Sequence, residues 1–111
     1  MEEGDIVRVD LPQADGKTKV RPALLLKQVP PYGDWIACGI SSSLSLEIKD
    51  FDLIVDKSEA EFSLTGLKHS SLIRLGFIST RPKTKIKGKI GSLNKETHRL
   101  LCNRLADYLR K

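Results

Sequence analysis

The segment Arg21-Pro22-Ala23-Leu24-Leu25-Leu26-Lys27-Gln28 holds the longest aliphatic run of the chain, Ala23-Leu24-Leu25-Leu26. That run is far too short to span a membrane. Pro22 stands near its start, where a strand tolerates a proline, so Arg21–Gln28 reads as a strand. Upstream, Asp5–Leu11 alternates Ile6 and Arg8 with Val7 and Val9 and stops at Pro12. Downstream, the turn Pro30-Pro31-Tyr32-Gly33-Asp34 leads into Trp35–Ser41. Leu53–Val55, Ser71–Ile78 and Lys87–Ile90 are the remaining strand candidates. Short strands punctuated by Pro, Gly and Asp predict a small barrel or sandwich.

The period changes at the carboxyl end. Thr97, Leu101, Leu105, Tyr108 and Leu109 recur at three- and four-residue steps between Asn94 and Arg110, which predicts an amphipathic helix. Ser92 or Asn94 can cap its start, and Arg110 and Lys111 suit the negative end of its dipole. The fold expectation is mainly β with one carboxyl-terminal α-helix. With 111 residues the chain is expected to form one domain over residues 1–111.

Composition narrows the function classes. Charged residues are 30% and apolar residues 40%, as in ordinary globular proteins. The net charge is +5, but it is uneven. Residues 1–77 hold nine Lys/Arg and twelve Asp/Glu, whereas residues 78–111 hold ten and two. If Lys83–Lys89 were extended, Lys83, Lys85, Lys87 and Lys89 would share one face. Such a face is either a lysine-guarded edge or a stripe for phosphates. The start, Met1-Glu2-Glu3-Gly4-Asp5, is acidic and lacks an apolar stretch of the secretory kind, so a cytoplasmic setting without membrane association is expected. Cys38 and Cys102 are then expected to be reduced thiols. His69 and His98 are isolated, and no ligand spacing typical of zinc occurs, so neither metal nor cofactor is expected. Trp35 is read as a core or dimer-contact residue, and both Trp35 and Tyr32 are left outside the site.

Three blocks carry a resemblance: Gly4-Asp5-Ile6-Val7-Arg8-Val9-Asp10-Leu11, Val20-Arg21-Pro22-Ala23-Leu24-Leu25-Leu26, and Ile36-Ala37-Cys38-Gly39-Ile40-Ser41-Ser42. In this order they resemble the PemK/MazF family of toxin ribonucleases from toxin–antitoxin pairs, over nearly the whole chain. The resemblance implies an SH3-like, partly open β-barrel that forms a homodimer. It further implies metal-independent cleavage of single-stranded RNA or mRNA within short sequences, and a cognate antitoxin protein as partner.

The same resemblance assigns residues. Metal-free cleavage lets the ribose 2′-OH attack the adjacent phosphate, and donors must then stabilise the developing phosphorane charge. Arg21 corresponds to the family's catalytic arginine, and its planar fork of donors suits a phosphate. Ser41 stands where the family has its catalytic Thr or Ser, with Ser42 next to it if the register slips by one. The stretch Leu64–Ser71 corresponds to a substrate-contacting region where some relatives carry an Arg and an Asp two residues apart. Those places fall here on His69 and Ser71, with Lys68 beside them. His69 is a candidate general acid or base because an imidazole exchanges protons near neutral pH. Lys17 and Lys19, in the loop before Arg21, are candidates for salt-sensitive phosphate contacts. On residue type alone, Arg21 also reads as a surface ion-pair partner, Ser41 as a strand-end turn hydroxyl and His69 as a loop histidine bonded to backbone.

Overall fold

The continuous apolar run at Ala23–Leu26 is buried on both faces. Leu24 and Leu26 join one hydrophobic cluster, while Ala23 and Leu25 join another on the opposite side of the sheet. That is why this strand lacks a polar–apolar alternation. In the computed structural model, which describes all 111 residues, it is the middle of β2 (Thr18–Val29). The other strands are β1 (Asp5–Pro12), β3 (Asp34–Ser41), β4 (Leu53–Val55), β5 (Ser71–Arg81) and β6 (Ile86–Ser92). They form one antiparallel six-stranded sheet in the order β4-β5-β3-β2-β1-β6. Register shifts interrupt the β1–β6, β2–β3 and β3–β5 pairings. Such irregularities bend strands, and here the sheet curls into a half-barrel.

A 3-10 turn, Phe62–Thr65, covers the edge strand β6. Its backbone lies directly against β6. A Cβ on Gly91 would stand 2.2 Å from the Thr65 carbonyl carbon, and one on Gly66 would stand 1.9 Å from the Ile90 oxygen. Only glycine permits main chains to approach this closely. Gly66 also has φ 70°, a left-handed value that glycine adopts freely.

The helix α1 (Lys95–Leu109) starts where Asn94 Oδ1 accepts a hydrogen bond from the Thr97 N–H at 2.7 Å. Leu101 is its one fully buried residue, with Cys102 and Leu105 packed beside it on the first cluster. Leu100, Tyr108 and Leu109 stay exposed, so the buried stripe is narrower than the sequence pattern predicts. Trp35 is buried in the second cluster.

Lys83–Lys89 is not one extended segment, so the four lysines do not share a strand face. Lys83–Lys85 is a 3-10 turn that follows Pro82, not part of an extended strand. Lys87 and Lys89 lie on the edge strand β6 and pair with Asp10 at 3.7 Å and Asp5 at 3.3 Å. The turn at Lys83–Lys85 breaks the alternation, and acids on β1 pair with the two lysines of β6.

Candidate catalytic cleft

Arg21 lies on β2 opposite Val9 of β1, next to Pro22. The connection from β1 folds back at Gln13, whose N–H donates to the Lys17 carbonyl at 2.7 Å. This turn brings the Gln13 side chain under Arg21, and Arg21 Nε donates to Gln13 Oε1 at 3.1 Å. Arg21 has no carboxylate partner: the ion pairs of the chain are Lys27–Glu3, Lys87–Asp10, Lys89–Asp5 and Arg110–Asp107. The surface ion-pair reading of Arg21 therefore finds no support.

Ser41 ends β3, the strand that neighbours β2. The Ser43 N–H donates to Ser41 Oγ at 3.0 Å. The hydroxyl is thus held as an acceptor by the turn, and its own proton remains available to an outside oxygen.

The third part of the site comes from β5. Cys38 pairs with Ile78 and Ile40 with Ile73, so Gly39 alone faces the four residues Arg74–Phe77. The extra residues form a bulge in β5, with Leu75 buried in the first cluster. The Phe77 ring lies where a Gly39 side chain would be, its Cδ2 only 2.4 Å from an ideal Cβ position. The Arg74 guanidinium stands over that ring, 5.4 Å from its centroid, a cation–π geometry. Asp52, buried, fastens the bulge from behind. Its Oδ1 accepts from the Leu75 N–H and its Oδ2 from the Ile48 N–H, both at 3.0 Å.

These elements enclose a cleft of about 490 Å³, lined among others by Arg21, Ser41, Ser42, Ser43, Arg74 and Phe77. Its charged lining residues are the two arginines, and the lining contains no carboxylate and no imidazole. Guanidinium groups and hydroxyls converging without a counter-charge make a receptor for a phosphate-like anion.

Arg21, Ser41 and Ser42 are thus brought together. Lys17, Lys19, Lys68, His69 and Ser71 do not line the cleft. The two lysines before Arg21 are exposed, Lys17 on the β1–β2 connection and Lys19 near the start of β2. Lys68 and His69 are exposed on the turn before β5. Ser71 is 6% exposed, and its hydroxyl donates to the His69 carbonyl at 2.7 Å. The turn is tied to Asp56 and Lys57: Ser70 Oγ accepts from the Lys57 N–H at 2.7 Å and donates to Asp56 Oδ1 at 3.4 Å. Hydrogen bonds from Ser58, backbone first, hold the Asp56 carboxyl below its ordinary range. Arg74 and Gly76 have the two-residue spacing expected at His69 and Ser71, and both of them line the cleft. Sequence reasoning passed over Arg74. The available signal was a lone charge inside the apolar strand Ser71–Ile78, with a glycine two residues later. Away from the cleft, Cys38 and Cys102 are free thiols; burial pushes Cys38 up to about 12 and also raises Cys102.

A curled antiparallel sheet, a terminal helix and an arginine-lined cleft between neighbouring strands define the class. Residues 2–109 match the family of PemK-like, MazF-like toxins of type II toxin–antitoxin systems, and the chain belongs to it. The toxins of this family are known as endoribonucleases, and membership implies an RNA substrate and an antitoxin partner. Among solved structures, the chain is similar to the Mycobacterium tuberculosis toxin MazF-mt6, with a TM-score of 0.69, 19% identity, and 96% of each chain covered. That likeness is one of fold. No curated protein matches the chain. No helix is long and apolar enough to cross a membrane.

Proposed function

We propose that the chain is a sequence-selective, metal-independent endoribonuclease that cuts single-stranded RNA by attack of a ribose 2′-OH, leaving a cyclic phosphate. The observation that carries this reading is the convergence of Arg21, Ser41 and Arg74 from three strands on one cleft. Arg21 holds the scissile phosphate and stabilises the pentacoordinate charge. Ser41 donates its free proton to a nonbridging oxygen. Arg74, above Phe77, is the second cation. Metal independence is supported by the donor set: the lining groups bind phosphate directly and offer no carboxylate or imidazole ligand to a cation.

Ser42 is the neighbouring hydroxyl contact. Lys17, Lys19 and Lys68 serve strand phosphates beyond the cleft, at a distance where salt screens them. The part of His69 in proton transfer is separable from the rest, because His69 lies on the turn outside the cleft. Loss of one limb of the pH–rate profile in His69→Ala assigns it the proton, and an unchanged profile removes it. In the same reading the working unit is a cytoplasmic homodimer of single-domain chains, held inactive by a cognate antitoxin; light scattering tests the dimer.

The direct experiment incubates the purified protein with single-stranded RNA in EDTA. Cyclic-phosphate or 3′-phosphate ends are expected from the wild type, and loss of most cutting from a folded Arg21→Ala variant. Equal cutting by that variant removes Arg21 from the mechanism. A second reading, a noncatalytic RNA- or peptide-binding module, is favoured by the absence of an acid or base from the cleft lining. Tight, salt-sensitive binding with no product across a broad RNA panel would decide for it.

A further inference from the structure

We infer that Gln13 is a positioning residue that fixes how Arg21 presents its guanidinium to the phosphate. This inference rests on the catalytic reading of Arg21 given above. The Gln13 side chain is satisfied at both ends. Its Oε1 accepts from Arg21 Nε at 3.1 Å, and its Nε2 donates to the Leu11 carbonyl at 2.9 Å. The amide orientation follows from these two partners. Turned over, the NH₂ group would face the Arg21 N–H and the oxygen would face the Leu11 carbonyl, losing both bonds. The Gln13 backbone is equally committed, donating to Lys17 and accepting from Gly16 at 3.0 Å. Gln13 is therefore a bracket between the end of β1, the turn and Arg21.

The consequence concerns the geometry of anion capture. An arginine can offer a phosphate either the edge made by Nε and one Nη or the edge made by both Nη groups. Gln13 occupies Nε. The edge left for the substrate is the pair of Nη groups, and Arg21 meets the phosphate end-on. A neutral amide suits this task better than an acid would. It orients the guanidinium without adding a negative charge that would oppose capture of the phosphate, and a guanidinium left free to rotate would lose rate.

Three variants test the assignment on RNA cleavage. Gln13→Met keeps the length and bulk of the side chain but removes both bonds. It is expected to lower kcat by about 10- to 100-fold with KM little changed. Gln13→Glu keeps an acceptor for Arg21 Nε but adds a charge that repels phosphate. It is expected to hold kcat within a few-fold of wild type while KM rises. Arg21→Lys has no Nε fork to orient, so adding Gln13→Met to it should cost no further activity. The Arg21 Nε–H signal in a ¹⁵N correlation spectrum gives a readout independent of activity: slow exchange with solvent in wild type and Gln13→Glu, fast exchange in Gln13→Met. Equal losses of kcat in Met and Glu variants, additive costs in the Arg21→Lys background, or unchanged Nε–H exchange in Gln13→Met would each overturn the proposal. The two readings fail differently. An impaired Arg21→Lys beside a fully active Gln13→Met overturns the role of Gln13 alone. An Arg21→Lys that cuts at the wild-type rate overturns both.

Discussion

Replacing Gly39 by alanine tests the link between the barrel and the cleft with one methyl group. The backbone of Gly39 is not left-handed, so alanine meets no conformational penalty there. The whole effect is steric. The new Cβ would stand 2.4 Å from Phe77 Cδ2 and 2.7 Å from Cε2, against an ordinary contact of 3.4–4 Å. The ring must therefore retreat by about 1 Å, and it is packed against the second hydrophobic cluster. Overpacking of this kind costs about 1–3 kcal/mol. In a domain of this size, about 2 kcal/mol lowers Tm by about 10 °C. Arg74 rides on the displaced ring, so cleavage should fall about tenfold at a temperature where the variant is still folded. Circular dichroism melting and RNA cleavage at 25 °C measure the two effects separately. Adding Phe77→Leu to Gly39→Ala removes the clashing ring edge. The double variant should be more stable than the sum of the single changes predicts. A Gly39→Ala protein with wild-type Tm and activity, or strictly additive costs with Phe77→Leu, would refute the account of the bulge.

Gly91→Ala should be harsher, because its Cβ would meet the main chain of Thr65, which cannot swing aside; a loss of about 3 kcal/mol or more, read as a fall in the urea midpoint, is expected. Asn94→Ala removes the cap on Thr97 and the contact to Glu61 and should cost about 1 kcal/mol, seen as a Tm lowered by several degrees. Cys38 has its pKa raised by burial from 9.0 to about 12, so the folded state holds this proton more tightly than the unfolded chain. Its contribution to stability is complete below about pH 9 and declines as pH rises toward 12. Unfolding free energy measured from pH 8 to 11 should fall more steeply in wild type than in Cys38→Val, and native Cys38 should resist thiol reagents.

The strands and the helix were legible because they obey local periods. The run at Ala23–Leu26 read as a strand, and the clusters on either side of β2 account for its lack of alternation. Arg21 and Ser41 were singled out by the resemblance of their blocks to the PemK/MazF family, and both of them line one cleft. The bulge at Arg74–Phe77 was not legible. It is a mismatch between β3 and β5, and neither strand states it alone. The resemblance placed the family's Arg and Asp at His69 and Ser71, outside the cleft, whereas Arg74 and Gly76, with the same spacing, line it. Gln13 was hidden for a similar reason: its role depends on a partner eight residues away, across a turn. The lysine alternation left two readings open; the turn at Lys83–Lys85 removes the extended segment that a four-lysine face requires, and Lys87 and Lys89 lie on the edge strand β6.

The brackets that hold the cleft's donors have a chemical corollary. Arg21 is steadied by an amide, Ser41 by a backbone N–H and Arg74 by an aromatic face, all of them uncharged partners. None of these fixings is an ion pair, so added salt has no bond to loosen between a donor and its bracket. Ionic strength should therefore act on the approach of a charged ligand and leave the walls of the cavity in place.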